Sequence, residues 1–226
     1  MMGYASYTDL RTREVSDKLW ILFSAIGVAI GVYEYLYGSL TQELLMILLS
    51  FGITTAISVA LYRFGFFGGA DAKALIVISI LLPLTTASST IHPFTGIIIL
   101  TNAALITAFL AISYAIRNLV MISRGEKIFI GFESEPLWKK VAAVFLGFRV
   151  RDASKHKFLL SLEENAEGVR RFRFSLLREE DEFVKEGDVW VTPGIPFIVF
   201  LTAGLFVTIL AGDLLMTMTR NIVSYF

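Results

Sequence analysis

LWILFSAIGVAIGVYEYLY, residues 19–37, decides the fold class: the run is apolar apart from small residues, tyrosines and a single charge, Glu34. An α-helix rises 1.5 Å per residue, so about 20 mainly apolar residues cross the hydrocarbon of a bilayer. Three more runs have that length and character: 44–62, 94–116 and 196–218. A fifth, 74–89, is interrupted by Pro83 and followed by a small polar run. Neighbouring helices can re-satisfy a backbone broken by proline, so it too is read as a span. Residues 1–8 (MMGYASYT) read as the tail of a helix too short to cross. The expected class is therefore an all-α polytopic membrane protein of about six transmembrane helices. The first is apparently incomplete, and a small, partly β insert precedes the last.

The whole chain agrees with this reading. Of its 226 residues 55% are hydrophobic and only 18% charged, with a mean hydropathy of +0.68. A soluble domain carries about 25% charge. Having no cysteine, the chain has no disulfide framework, no Cys nucleophile and no thiolate metal site. Its two histidines, His92 and His156, lie far apart and build no HExxH pair. No metal and no cofactor are expected, and no nucleic-acid partner. Charge concentrates in 117–193, with Arg170, Arg171 and Arg173 in one run and Glu179–Glu182 in another. Short apolar pieces at 127–132, 141–148, 157–162, 172–177 and 189–191 give this insert its partly β character. Three regions follow: a membrane domain 1–116, an insert 117–193, and a last helix with its tail, 194–226.

Basic residues set the orientation. With Arg11, Arg13 and Lys18 in the cytoplasm and the spans alternating, Arg220 is the only one of 20 basic residues on the far side. The rings of Tyr33, Tyr35, Tyr37, Phe64, Phe66 and Phe67 are expected at the interfaces.

Acids near spans are costly and are functional candidates by default. Asp9 and Asp71 fall at the same cytoplasmic edge. Asp213 lies about 17 residues into the last span, roughly 25 Å from that edge, and Glu34 is also near the far face. Two carboxylates sharing a proton form a complete hydrolytic device: one takes a proton from attacking water, the other polarises the peptide carbonyl and assists the leaving amine. Gly65, Gly68 and Gly69 in GFFGGAD permit unusual backbone and close approach of a substrate strand. Asp71 then opens a helix, whose dipole favours its charged form. Taken singly, Asp71 reads as well as a helix cap and Asp9 as a solvated charge. Asp17, after Ser16, reads as capping the second span.

DLRTREVSDKLW, Asp9 to Trp20, resembles the segment bearing the first catalytic aspartate of archaeal preflagellin and prepilin peptidases. Gly68, Gly69, Ala70, Asp71, Ala72 and Lys73 are similar to that family's second motif, the GxGD signature shared with presenilin-type intramembrane proteases. Ala70 stands where glycine is usual. The charged insert, and the run from Trp190 through Pro196 into a helix containing Gly212 and Asp213, also resemble the preflagellin branch. The resemblance implies an aspartyl endopeptidase with Asp9 and Asp71 catalytic. Its substrates would be membrane-inserted preflagellin or type IV prepilin-like proteins, cut at the cytoplasmic membrane edge between a short basic leader and an apolar helix.

Around that dyad, Gly68, Gly69, Ala70, Lys73, Arg11 and Arg13 are expected to bind substrate or support the motif. Glu14 and Asp17 are candidate attractors for a basic leader. The basic residues also serve as ordinary cytoplasmic anchors in contact with the lipid bilayer. His92 is expected in water, and Gly27 with Gly31 in helix packing. The alternative class is a non-enzymatic membrane assembly or transport subunit. Transporters, however, place their charges near the bilayer midplane. Nothing in the sequence indicates an oligomeric state.

Overall fold

The computed structural model describes residues 1–38, 43–85, 92–153, 158–166, 169–174, 184, 187–194 and 196–224. His156 and Glu179–Glu182 lie outside them. Two compact units emerge, one of residues 1–106 with 196–226, the other of residues 107–195.

The first unit contains α1 (Met2–Thr12), α2 (Asp17–Tyr37), α3 (Leu44–Arg63), α4 (Gly69–Leu81), the start of α5 (Thr95–Ser123), α7 (Phe197–Ala211) and α8 (Leu214–Val223). Its patterning is that of a membrane protein. In α3 the buried residues are Ser50, Thr54 and Ser58, one helical stripe of small hydroxyls, while Leu45, Leu48 and Leu49 face outward. Without a hydrophobic drive between helices, small polar side chains make the helix contacts and large apolar ones meet lipid. Helices α2, α3 and α5 are long and apolar enough to span a membrane, and α7 with α8 makes a fourth if counted as one bent span.

Two expected spans differ in outline. The run 74–89 becomes a helix that stops at Leu81, because Pro83 offers no N–H to continue it. Ser50 Oγ donates to the Pro83 carbonyl at 2.6 Å. The run 196–218 is not one straight helix: α7 and α8 meet at 55° across Gly212 and Asp213. Gly212 there has φ 74°, a conformation that favours glycine. Buried Asn102 of α5 holds the break. Its amide donates to Thr208 Oγ1 (3.0 Å) and to the Gly212 carbonyl (2.9 Å), and its oxygen accepts from Leu214 N–H (3.1 Å).

α4 is the centre of this unit. Asp71, Ala72, Ala74, Leu75, Val77, Ile78 and Ser79 are all buried, a helix enclosed nearly all round. Of the expected small-residue pair on α2, only Gly27 is used: a Cβ there would come within 2.9 Å of Ile80, whereas one at Gly31 would meet nothing within 4 Å. Phe67 is not interfacial; it is buried against the Phe197 ring, 4.9 Å between centroids.

The second unit joins the rest of α5 to α6 (Leu137–Leu146) and five short strands: β1 (Phe148–Val150), β2 (Leu159–Ser161), β3 (Glu163–Ala166), β4 (Val169–Phe172) and β5 (Val189–Pro193). β5 lies between β1 and β2, antiparallel to both, and β3 pairs with β4. Aromatic rings fill its core: Trp190 stacks on Phe129 at 5.4 Å and Phe132 on Phe172 at 4.1 Å, while Trp190 Nε1 donates to the Ile128 carbonyl. Residues 127–132 form turns rather than a strand, and 141–148 is mostly α6. An apolar run of this length does not by itself separate a helix from a strand.

Candidate active site

Gly68 is the N-cap of α4, extended at φ −71° and ψ 161°, and Asp71 is the third helical residue. There Asp71 Oδ2 accepts the Gly68 N–H at 3.0 Å, one half of a capping box. A Cβ on Gly68 would sit 3.2 Å from Oδ2, and one on Gly69 3.9 Å from the Tyr62 ring. Of the three glycines only Gly65 takes a left-handed φ, 76°. Gly68 therefore serves close approach rather than unusual backbone. Asp71 Oδ1 is buried.

Asp9 is brought to the same core by helical spacing. The buried residues of α1 are Met2, Ala5, Ser6 and Asp9, a single face. Arg13 ends the helix at φ 61°, its N–H bonded to the Asp9 carbonyl, and its guanidinium is the cation that acts on the Asp9 carboxylate. Arg11 points elsewhere, donating to Tyr7 Oη at 2.7 Å in an exposed setting.

A third element closes on these two. Ser6 Oγ lies 2.7 Å from Thr202 Oγ1 and donates to the Ile198 carbonyl at 3.3 Å, tying α1 to the first turn of α7. The Ile198 amide in that turn favours the charged form of Asp71.

Both aspartates lie outside the helices that are long and apolar enough to span a membrane, which are α2, α3, α5 and the bent α7–α8 pair. They are 8% and 7% exposed. Burial pushes Asp71 up to about 7, with the negative charge of Asp9 adding to it, against the Gly68 and Ile198 amides, which hold it down. Desolvation therefore outweighs the helix N-terminus that by itself favours the carboxylate. Asp9 is also raised by burial, and Arg13 opposes that.

The remaining candidates sit apart from the dyad. Lys73 pairs with Asp17 at 2.6 Å, joining α4 to the start of α2 on an exposed surface. Ala70 packs against the core. Asp213 N-caps α8, accepting the Met216 N–H at 3.1 Å. Glu34 is exposed. His92 is half-buried and stacked on Phe94 rather than in open water. Among the described residues no group of three His, Asp or Glu side chains gathers to hold a metal. Ser6, Thr202 and the Ile198 amide were not among the expected site residues. The one signal for them was spacing, since Ser6 precedes Asp9 by one turn and Thr202 interrupts an apolar helix.

A profile of the type IV leader peptidase family matches residues 1–116, which hold both aspartates. The chain belongs to the type IV leader peptidase family. A second profile, that of the type II C-terminus of archaeal peptidases A24, matches residues 139–214, from α6 to the first residue of α8. Among similar proteins, the preflagellin peptidase of Methanococcus maripaludis is 25% identical over 223 residues, 92% of this chain and 90% of its own. That of Methanocaldococcus jannaschii is 25% identical over 229 residues, 92% and 89% of the two chains. As a member of a leader peptidase family this multi-pass, mostly helical chain is a protease.

Proposed function

We propose that this protease is an aspartyl endopeptidase that removes the short basic leader of preflagellin or type IV prepilin-like proteins at the cytoplasmic edge of the cell membrane. The observation that carries the reading is the pairing of Asp9 and Asp71: two helices bury a carboxylate each in one core, close enough for the charge of one to raise the other. Two acids whose environments separate their protonation states are what hydrolysis without a covalent intermediate requires. Asp71, held protonated near neutral pH, donates to the scissile carbonyl oxygen. Asp9, raised by burial but beside the Arg13 guanidinium that favours its charged form, takes the proton of the attacking water. Asp71 Oδ2 is committed to the Gly68 N–H, so Oδ1 is the oxygen that carries the proton to the substrate carbonyl. The two apparent pKa values belong to the pair.

The same reading arranges the chain as six membrane-embedded segments counting α1, with α4 short and α7–α8 bent. The membrane domain is 1–116, the insert 117–193 faces the cytoplasm, and 194–226 returns to the membrane. Its basis is the placement of basic residues. The bond cut lies just outside the lipid, because unwinding a helix there exposes amides to water, whereas each unpaired group in hydrocarbon costs several kcal/mol.

The test is cleavage of a membrane-inserted substrate by the purified protein in vesicles, with product termini mapped by mass spectrometry. Cleavage at the junction of basic leader and apolar helix is expected. It should slow when the leader's lysines and arginines are neutralised. Cuts deep in the apolar helix, or full activity in Asp71→Asn, would overturn the proposal.

A further inference from the structure

We infer that α6 is an interfacial helix whose outer face lies in the headgroup region of the bilayer. On its sequence LWKKVAAVFL the four residues Leu137, Trp138, Val141 and Phe145 are 76%, 64%, 50% and 46% exposed. At about 100° per residue they fall within an arc of about 100°. The rest of the helix carries Lys139, Lys140, Ala142, Ala143 and Val144, with exposed Leu146 at its last position. Ala143 is buried in the aromatic core with Phe132, Phe172 and Trp190. Lys139 pairs with Glu135 at 2.9 Å and donates to the Phe172 carbonyl, and Lys140 donates to the Glu133 carbonyl. Lysines turned inward and a tryptophan turned outward reverse the arrangement of a water-facing helix, and a contiguous exposed apolar patch marks an interaction surface.

The attachment of α6 to α5 identifies what covers that face. The Asn118 side-chain amide donates to the carbonyls of Val144 (2.9 Å) and Gly147 (2.7 Å), closing the C-terminal end of α6 onto α5. Next to it, the Arg117 guanidinium lies 3.9 Å over the Phe148 ring. α5 is itself a candidate membrane span, and its neighbouring Ile112, Ile116, Leu119 and Val120 are exposed apolar residues. Arg117 is the one charge within that helix and Arg124 follows its last residue, so α6 meets α5 where hydrocarbon gives way to headgroups. The apolar face of α6 continues the lipid-facing surface of α5, at the depth tryptophan prefers.

The absence of native cysteine makes the test direct. The full chain in phospholipid vesicles is labelled with one environment-sensitive fluorophore at Trp138→Cys, at Val141→Cys, or at Glu164→Cys on the exposed edge of β3. The first two side chains lie outside the core, so thermal melting is expected to be unchanged. Labels at 138 and 141 are expected to lose at least about half their fluorescence to lipids brominated high in the acyl chain, as for a helix buried about 5–10 Å into the interface. The label at 164 should respond only to aqueous iodide. Iodide quenching at 138 and 141 equal to that at 164 overturns the inference. So does shielding from both quenchers, which would mean that protein, a second copy or a substrate segment, covers the face.

Discussion

Ser6 Oγ and Thr202 Oγ1 lie 2.7 Å apart and join α1 to α7 one helical turn from Asp9. Thr202 also donates to the carbonyl of Ile198, the residue whose amide favours the charged form of Asp71. The hydroxyl pair thus ties both helices that flank the Asp71 carboxyl. Ser6→Ala is expected to slow cleavage by about 10- to 100-fold, the effect of a small misplacement of reacting groups, while KM changes little. Thr202→Ser, which keeps the hydroxyl, should retain most activity. Steady-state kinetics of the two variants in vesicles checks this, and equal losses in both would count against a positioning role.

Asp9→Asn and Asp71→Asn should each reduce cleavage by at least about 10²–10⁴-fold. Because the pair acts as a unit, the double variant should be little worse than either single one. Asp17→Asn removes only an exposed ion pair with Lys73, a contact worth about 0–1 kcal/mol, and should leave substantial activity.

Asp71 also links pH to stability. Its folded-state value of about 7 lies above the ordinary 3.8, so its contribution to stability is full below pH about 4 and is lost as pH rises through about 7. Asn cannot ionise, and Asp71→Asn should flatten that decline. At pH 8 the variant is expected to be more stable than the native protein, by up to a few kcal/mol at about 1.4 kcal/mol per unit, and to melt at a higher temperature. Cleavage by the native protein should fall over the same range as the acid loses its proton. Melting curves and rates between pH 4 and 8 measure both.

Asn102 carries three hydrogen bonds at the α7–α8 break while fully buried. Asn102→Leu leaves the Gly212 carbonyl and the Leu214 amide without it, and each buried unpaired group costs about 1–3 kcal/mol. A clear drop in melting temperature is expected. By contrast, Asp213→Asn keeps a good N-cap and should be nearly silent, whereas Asp213→Ala should cost about 1 kcal/mol. Both Asp213 variants should cleave normally, because that carboxylate caps α8 instead of facing the dyad.

Hydropathy and charge are properties of a run of residues, so the sequence by itself determined the membrane class, the charged insert, and the choice of Asp9 and Asp71 as candidate chemistry. A span must be apolar along its own length whatever it packs against, and an acid beside a span is conspicuous without knowledge of its neighbours. Tertiary structure decided what depends on partners. It set the end of α4 at Leu81, where Ser50 takes up the Pro83 carbonyl, and the bend at Gly212 and Asp213, which Asn102 of another helix holds. It placed the Gly68 and Ile198 amides against the Asp71 carboxyl, and it made Arg13 instead of Arg11 the cation acting on Asp9. It also joined Ser6 to Thr202, 196 positions apart. Such contacts form between residues distant in the chain, and no local periodicity encodes them.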